Sequence, residues 1–327
     1  MRAIVIREPG GPEMLELREV PTPEAARGEV RVRIRATAVN RADLLQRIGV
    51  YPAPPGSPRD IPGIEIAGEV DTVGEGVTEW KAGDRVFGIV GGGGYAEYIT
   101  VPARTLAGIP EGMSFVDAGA VPEAFLTAWD GMVDQGRLAA GETVLIHAAG
   151  SGVGTAAVQI ARAVGARSIG TARTRAKLDR ARELGLDEAI VVEGGASFAD
   201  EVRARTGGRG ADVVVELVGG PYVAQDLACV AYKGRIVVIG MLAGPRVDFD
   251  LNALMRKRVE VRGTMLRSRP LEEKILAGLA LDRHLAPLFA RGLLKPIVDR
   301  VFPLEQAGDA HRAMHSNETF GKVVLQV

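Results

Sequence analysis

Cysteine, histidine and net charge are all scarce in this chain of 327 residues. Its one cysteine, Cys229, rules out a disulfide framework and fits a reducing compartment. Zinc needs three or four Cys, His or carboxylate ligands in a tetrahedral array, and the chain offers that cysteine with only His147, His284, His311 and His315. His147 reads as a core or loop histidine. His311 and His315, four apart on a predicted helix, read as part of a solvated face. No metal site is expected. A net charge of -1 leaves no basic field for nucleic acid or anionic lipid. No apolar run is long enough to span a membrane, and the opening Met-Arg-Ala-Ile-Val-Ile-Arg is too short for a signal peptide. The expectation is a cytoplasmic protein, without a nucleic-acid or membrane partner.

What is present is concentrated between Val144 and Thr155. Buried-strand residues run into Ala148-Ala149-Gly150-Ser151-Gly152-Val153-Gly154, and that turn runs into a helix pattern of Val153, Ala157, Ile160 and Val164 closed by Gly165. Such an order leaves bare amides at a helix N-terminus, where a dinucleotide pyrophosphate can sit. The strict G-x-G-x-x-G spacing is missing: with Gly154 as the last glycine, Ala149 and Ser151 fill the first two positions. An ordinary strand–helix turn is the competing reading, and the next strand, Ser168–Ala172, supplies the context of a βαβ unit.

Before this unit, Glu29–Val39 alternates apolar residues with Arg31, Arg33 and Arg35, and short strand patterns follow at Ile64–Val73, Arg85–Val90 and Tyr95–Val101. They suggest a compact β-barrel-like domain. After it, strand patterns at Ala189–Val192, Asp212–Val218, Arg235–Gly240 and Val259–Gly263 alternate with helices such as Arg175–Leu184, which indicates a parallel sheet covered on both faces. Helical patterns from Leu271 to Arg291 and a final strand Gly321–Val327 continue neither alternation and are expected to return to the first domain. The expected division is 1–122, 123–265 and 266–327.

An NAD site carries an Asp or Glu about 20 residues beyond the glycines. Here that position falls in Thr171-Ala172-Arg173-Thr174-Arg175-Ala176-Lys177, which has cations and hydroxyls but no carboxylate. A 2′-phosphate needs such donors, so the segment favours NADPH over NADH. A solvated helix start that happens to be basic is the plainer alternative.

Taken together, "GGPEMLELREVPTP", "NRADLLQRIGVYPAPPG", "PGIEIAGEV", "GGGGYAEYITVP", "VPEAFLTAWDGM", "HAAGSGVGTAAVQIA", "GTMLRSR" and "GKVVLQV" resemble one family along the whole chain. It is the zinc-independent quinone oxidoreductase, zeta-crystallin-like branch of the medium-chain dehydrogenase/reductases. The tumour-suppressor-induced subgroup shows the greatest similarity. The resemblance implies an α/β protein with a GroES-like β-barrel catalytic domain and a Rossmann doubly wound parallel-sheet cofactor domain. It also implies NADPH-dependent reduction of quinones or other conjugated carbonyls, and a homodimer paired through the sixth Rossmann strand.

Site residues follow from the resemblance. Asn40 stands where metal-dependent relatives place a zinc-ligating cysteine, and Ile64-Glu65 stands where they place a His-Glu pair. Asn40 would bond the nicotinamide ribose or the substrate oxygen; a helix-capping asparagine is the alternative. Tyr51 would line the substrate mouth, and Asn40 and Tyr51 are the catalytic candidates. Thr127 would lie beside the nicotinamide. Ser151, Gly152, Val153 and Gly154 would meet the pyrophosphate, and Arg173, Thr174 and Lys177 the 2′-phosphate. Met241, Leu266 and Arg267 would flank the cofactor through main-chain atoms, and Asn317 would reach it from the C-terminal return. Two positions depart from the pattern: Val192 replaces a tyrosine near the adenosine phosphate, and Arg173 replaces a glycine of the nearest subgroup. An NADPH-dependent 2-alkenal or enoyl-thioester reductase is the alternative enzyme, and a non-catalytic NADPH-binding protein the alternative outside catalysis.

Overall fold

A computed structural model describes residues 1–194 and 197–327 and divides them into two compact units. One unit is Thr127–Met265; the other joins Met1–Leu126 to Leu266–Val327. The helix Pro122–Trp129 carries the chain from one to the other.

Within Thr127–Met265 six parallel strands form one sheet. In space they run Glu188–Val191, Arg167–Ala172, Thr143–Ile146, Ala211–Glu216, Val230–Val238, Glu260–Gly263. Numbered along the chain this is the order 3-2-1-4-5-6, whose direction reverses beside the first strand. Ligands of such sheets bind at that reversal, beyond the strands' carboxyl ends. The central strands read Thr-Val-Leu-Ile and Ala-Asp-Val-Val-Val-Glu because helices cover both faces, and Val144, Leu145, Ile146, Val213, Val214 and Val215 are all fully buried. The helix Gly152–Val164 buries Ala156, Ala157, Val158, Ile160 and Ala161, and stops at Gly165, whose φ of 78° is the left-handed turn glycine permits. The helix Tyr222–Cys229 is closed differently. Lys257 Nζ donates to the carbonyls of Leu227, Ala228 and Val230 at 2.8, 2.8 and 3.1 Å, placing a cation on the negative end of the helix.

The other unit is built on the eleven-residue strand Glu29–Val39. Its Val30, Val32, Ile34, Ala36 and Ala38 are buried, while Arg31 and Arg35 pair with Asp71 and Glu69 on the outer face. Two register shifts bend it against Glu65–Val73. Its first half also pairs with Tyr98–Pro102, and its second half with Lys322–Gln326. The pattern at Tyr95–Val101 thus begins later than expected, because Tyr95 faces inward in the core before pairing starts. The antiparallel pair Arg2–Ile6 and Leu15–Glu19 went unnoticed in the sequence. Lys322–Gln326 lies between Glu29–Val39 and Val298–Pro303, so the C-terminal residues form an inner strand of this sheet. Among the described residues no helix is long and apolar enough to cross a membrane.

Candidate functional site

The glycine-rich turn has the form its sequence suggests. Ser151 is the N-cap of Gly152–Val164, and its Oγ accepts the Gly154 amide at 3.0 Å. The Ser151 amide donates to Ala148 O at 2.8 Å. The amides of Gly152 and Val153 find no acceptor among the described residues. Ala148 takes φ 47°, a left-handed conformation that L side chains resist. Gly154 is where helix and strand touch: a Cβ there would stand 2.3 Å from Ala148 O and 2.7 Å from Ala149 Cα. These are the features of an anion cradle, with free amides, a helix dipole and a glycine enforcing close approach.

Arg173 and Thr174 follow the strand Arg167–Ala172, and Thr174 is the N-cap of Arg175–Glu183 without a side-chain capping bond. Both are exposed, and Lys177 is partly exposed one turn into the helix. Cations and a hydroxyl thus gather at one strand end, as a phosphomonoester requires. Val192 adjoins this strand end, its amide donating to Ala172 O at 2.9 Å, but its side chain is buried in the core with Leu145, Ile169 and Phe198. Met241 is well exposed after the fifth strand, and Thr127 is buried on its helix. Leu266 is half-buried at the start of the C-terminal return.

In the other unit Asn40 is 5% exposed and precedes the helix Arg41–Arg47. Its side chain does not cap that helix. Asp43 supplies the capping carboxylate, accepting the Asn40 amide at 2.8 Å, while the Asp43 amide goes to the Asn40 carbonyl. The Asn40 amide group instead donates to Glu65 Oε1 at 2.7 Å and Ala38 O at 3.2 Å, and its oxygen accepts from Lys322 Nζ at 2.5 Å. Lys322 Nζ also reaches Glu65 Oε1 at 2.8 Å. A donor set of amide, carboxylate and ammonium suits no divalent cation, since the ammonium already holds the carboxylate.

Asp43 is itself the end of a buried chain of hydrogen bonds. Arg47 Nη1 can only donate, so His311 Nδ1 accepts it at 3.1 Å, and His311 Nε2–H then donates to Tyr95 Oη at 3.1 Å. Tyr95 in turn donates to Asp43 Oδ2 at 3.2 Å. Burial brings His311 down to about 3 and pushes Asp43 up to about 6. The expected solvated face is therefore wrong for His311. His315 is exposed, but the helix Ala307–His315 turns His311 into the core, where polar partners satisfy it.

Tyr51 has a defined neighbour. The Arg267 guanidinium sits 5.2 Å from the centre of its ring and donates to Gly91 O at 2.7 Å, to Tyr51 O at 3.4 Å and to Gln46 Oε1. Arg267 was expected to act through its main chain; its buried side chain fixes the tyrosine loop. Asn317, at φ 58°, accepts from Arg41 Nη2 at 2.7 Å and donates to His315 O at 3.0 Å.

Sequence reading missed one cluster altogether. His147, at the end of the first Rossmann strand, donates through Nε2 to Asp226 Oδ1 at 2.8 Å, and Nδ1 accepts from Thr171 Oγ1 at 2.8 Å. Glu216 Oε2 lies 3.8 Å from the same Nε2, and all three side chains are fully buried. Glu216 Oε1 accepts the amides of Val218 and of Gly219. Glu216 Oε2 and Asp226 Oδ2 have no donor facing them among the described residues. Burial pushes Glu216 up to about 8 and Asp226 to about 7, and brings His147 down to about 4. Two such carboxyls sharing one proton form a hydrogen bond; as two carboxylates they repel. The three could be counted as a metal triad. However, a 2.8 Å contact between Nε2 and Oδ1 is a hydrogen bond, closer than two ligands stand around one zinc. His147 is a satisfied core histidine, as its place on a buried strand suggests. The carboxylates were hidden because they lie far from His147 in sequence, Asp226 by 79 positions.

Comparison with known proteins agrees with this architecture. Residues 26–111 match the alcohol dehydrogenase GroES-like domain, and residues 152–280 match the family described as zinc-binding dehydrogenase. The quinone oxidoreductase of Rattus norvegicus is 33% identical over 99% of this chain and 97% of its own length. A phthioceranic/hydroxyphthioceranic acid synthase of Mycobacterium tuberculosis is 36% identical over 98% of this chain, which spans 15% of that protein. Escherichia coli quinone oxidoreductase complexed with NADPH superposes with a TM-score of 0.89 at 30% identity, covering all of both chains. An NAD-dependent alcohol dehydrogenase superposes with a TM-score of 0.85 at 36% identity over the same coverage. A GroES-like domain joined to a 3-2-1-4-5-6 parallel sheet, with full-length relatives among quinone oxidoreductases, places this chain in the medium-chain dehydrogenase/reductase family.

Proposed function

We propose that the protein is a zinc-independent NADPH:quinone oxidoreductase, reducing a quinone or a similar conjugated carbonyl. The observation that carries the cofactor choice is the segment Arg173–Lys177, where cations and a hydroxyl occupy the place of the NAD-binding carboxylate. When bound, NADPH supplies the hydride. The chain's part is to hold and orient. Ser151–Gly154 offers its amides to the pyrophosphate, and Arg173, Thr174 and Lys177 meet the 2′-phosphate. Tyr51, braced by Arg267, presents an aromatic face to the acceptor. A quinone needs no Lewis acid, because the oxyanion formed on hydride arrival is delocalised in its ring.

The donor set around Asn40 supports independence from zinc. The buried, free thiol of Cys229 supports a cytoplasmic setting. A homodimer is supported by the edge strand Glu260–Gly263 and by exposed Tyr232, Leu251, Met255 and Val261 near it, since unpaired edges and apolar side chains invite pairing.

The test is anaerobic oxidation of NADPH and NADH with a panel of ortho- and para-quinones, with and without a chelator. Turnover that prefers NADPH and ignores the chelator is expected. Replacing Arg173 and Lys177 together by alanine should cost NADPH on the order of 100-fold in kcat/KM and leave NADH within threefold, since each charge-assisted phosphate contact contributes roughly 1.5–3 kcal/mol. Turnover abolished by the chelator, or restricted to enoyl thioesters, would sink the quinone reading.

A further inference from the structure

The fourth Rossmann strand, Ala211–Glu216, leads to a polar group that the nucleotide site described above does not use. The strand runs into Gly219 and Gly220, at φ 70° and 53°, and the helix Tyr222–Cys229 follows. This turn is tightly held. Glu216 Oε1 accepts the amides of Val218 and Gly219, and a Cβ at Gly220 would stand 2.7 Å from Ala243 O. Tyr222 is therefore delivered to one place. Its ring meets that of His147 edge-on, with centres 5.0 Å apart, and lies 5.1 Å from the ring of Phe198. Those two neighbours are fully buried, whereas Tyr222 is only half-buried. Its hydroxyl has no hydrogen-bond partner among the described residues, although Glu216 Oε2 lacks a donor. Nor is it sealed in the core, so it opens to solvent.

His147 links this hydroxyl to the end of the second strand. In the sheet the first strand, which His147 follows, lies between the second and the fourth. His147 Nδ1 accepts from Thr171 Oγ1 at 2.8 Å, and Arg173 comes directly after Thr171-Ala172. The Arg173 side chain is exposed and has no acceptor among the described residues. Burial and then Glu216 raise the Tyr222 hydroxyl above the ordinary phenol range, with the charge of Arg173 acting against them. The phenol thus remains a donor near a cation that can only donate. Both belong to the unit Thr127–Met265 that carries the amides of Gly152 and Val153. Two donors without an acceptor leave that acceptor to a ligand, and an anionic oxygen satisfies both.

We propose that Tyr222 is a specificity-determining residue, its hydroxyl donating with Arg173 to the 2′-phosphate of the cofactor. This rests on the NADPH reading given above.

The experiment compares full-length wild type, Tyr222→Phe and Arg173→Ala by calorimetric titration with adenosine 2′,5′-bisphosphate and with adenosine 5′-monophosphate. The two ligands differ only in the 2′-phosphate. Tyr222→Phe keeps the ring against His147 and Phe198 and removes a hydroxyl that nothing in the protein uses. Its Tm should therefore stay within about 2 °C of wild type. Its Kd for the bisphosphate should rise about tenfold, the loss of one hydrogen bond to a charged group, with the Kd for the monophosphate within about twofold. A bisphosphate Kd unchanged in Tyr222→Phe but raised in Arg173→Ala would overturn the proposal and leave the NADPH reading standing. Equal weakening of both ligands by Tyr222→Phe would also overturn it, assigning the hydroxyl to the adenosine that they share. A wild type that binds the two ligands equally well would defeat the NADPH reading, and the role of Tyr222 with it.

Discussion

Gly154→Ala should weaken NADPH binding by on the order of 100-fold and destabilise the fold by about 3 kcal/mol, the upper end of overpacking costs. The added methyl would meet Ala148 O at 2.3 Å and Ala149 Cα at 2.7 Å, both backbone atoms that no side-chain rotation can move. Helix or turn must therefore shift, and the amides of Gly152 and Val153 move with them. A misplacement of about 1 Å is enough to cost a positioned ligand about two orders of magnitude. Ser151→Ala is the informative contrast. It deletes the hydroxyl that caps the helix at Gly154 N, at a cost of about 1 kcal/mol, and leaves the backbone cradle in place. Urea unfolding and calorimetric titration of both variants give the comparison. A Kd within threefold of wild type for Gly154→Ala would mean that this turn does not hold the cofactor.

Raising the pH from 6.5 to 8 should cost the protein about 2 kcal/mol of stability, one proton over 1.5 pH units at about 1.4 kcal/mol per unit. Glu216 stands at about 8 in the fold against an ordinary 4.5, so its contribution is complete below 4.5 and is lost as pH rises through 8. His147 has the opposite sign: its pKa falls from 6.5 to about 4, so its contribution is present above 6.5 and lost as pH falls through 4. Asp226, raised from 3.8 to about 7, has the sign of Glu216: its contribution is complete below 3.8 and lost as pH rises through 7. Below 6.5 His147 offsets only part of the carboxyl pair, and above it the pair acts alone. The groups facing the pair are His147, Tyr222 and Cys229, with Lys257 and Arg203 acting on Cys229 and Arg173 on Tyr222. In the other unit, the pKa values of Asp43 at about 6 and His311 at about 3 lie below this window. Glu216→Gln places a permanent donor between the carboxyls and should flatten the slope. Urea unfolding of wild type and variant at pH 6.5 and 8.5 measures it, and equal slopes would exclude the shared proton.

Much of this was legible in the sequence, for reasons that can be named. Alternation along Glu29–Val39 gave a strand with its observed limits, because one face is buried and the other carries paired arginines. The parallel strands were legible as continuous apolar runs, and Gly165 as a helix stop. The pair Arg2–Ile6 and Leu15–Glu19 was not, since its second strand is largely exposed and has no clean period. Residue types in 173–177 could be found by their spacing from the glycines, and the one at position 40 only through the family resemblance. Their partners could not: Lys322, Glu65 and Asn40 come together only through strand pairing, and no local pattern marks a lysine that turns inward. His311 misled for the same reason. Its polarity pointed to solvent, whereas its burial is set by Tyr95 and Arg47, which are distant in the chain.

The place of Lys322–Gln326 as an inner strand has a consequence for biosynthesis. The unit Thr127–Met265 is one continuous stretch whose sheet can close while later residues are still being made, and domains emerging from the ribosome fold as units in order of synthesis. The other unit cannot follow that schedule. Its long strand lacks one edge partner, and its Asn40 lacks a cation, until Lys322 has left the exit tunnel. The asparagine is thus set only after the nucleotide-binding unit has been made, and a nascent chain that already holds that unit has no assembled position 40.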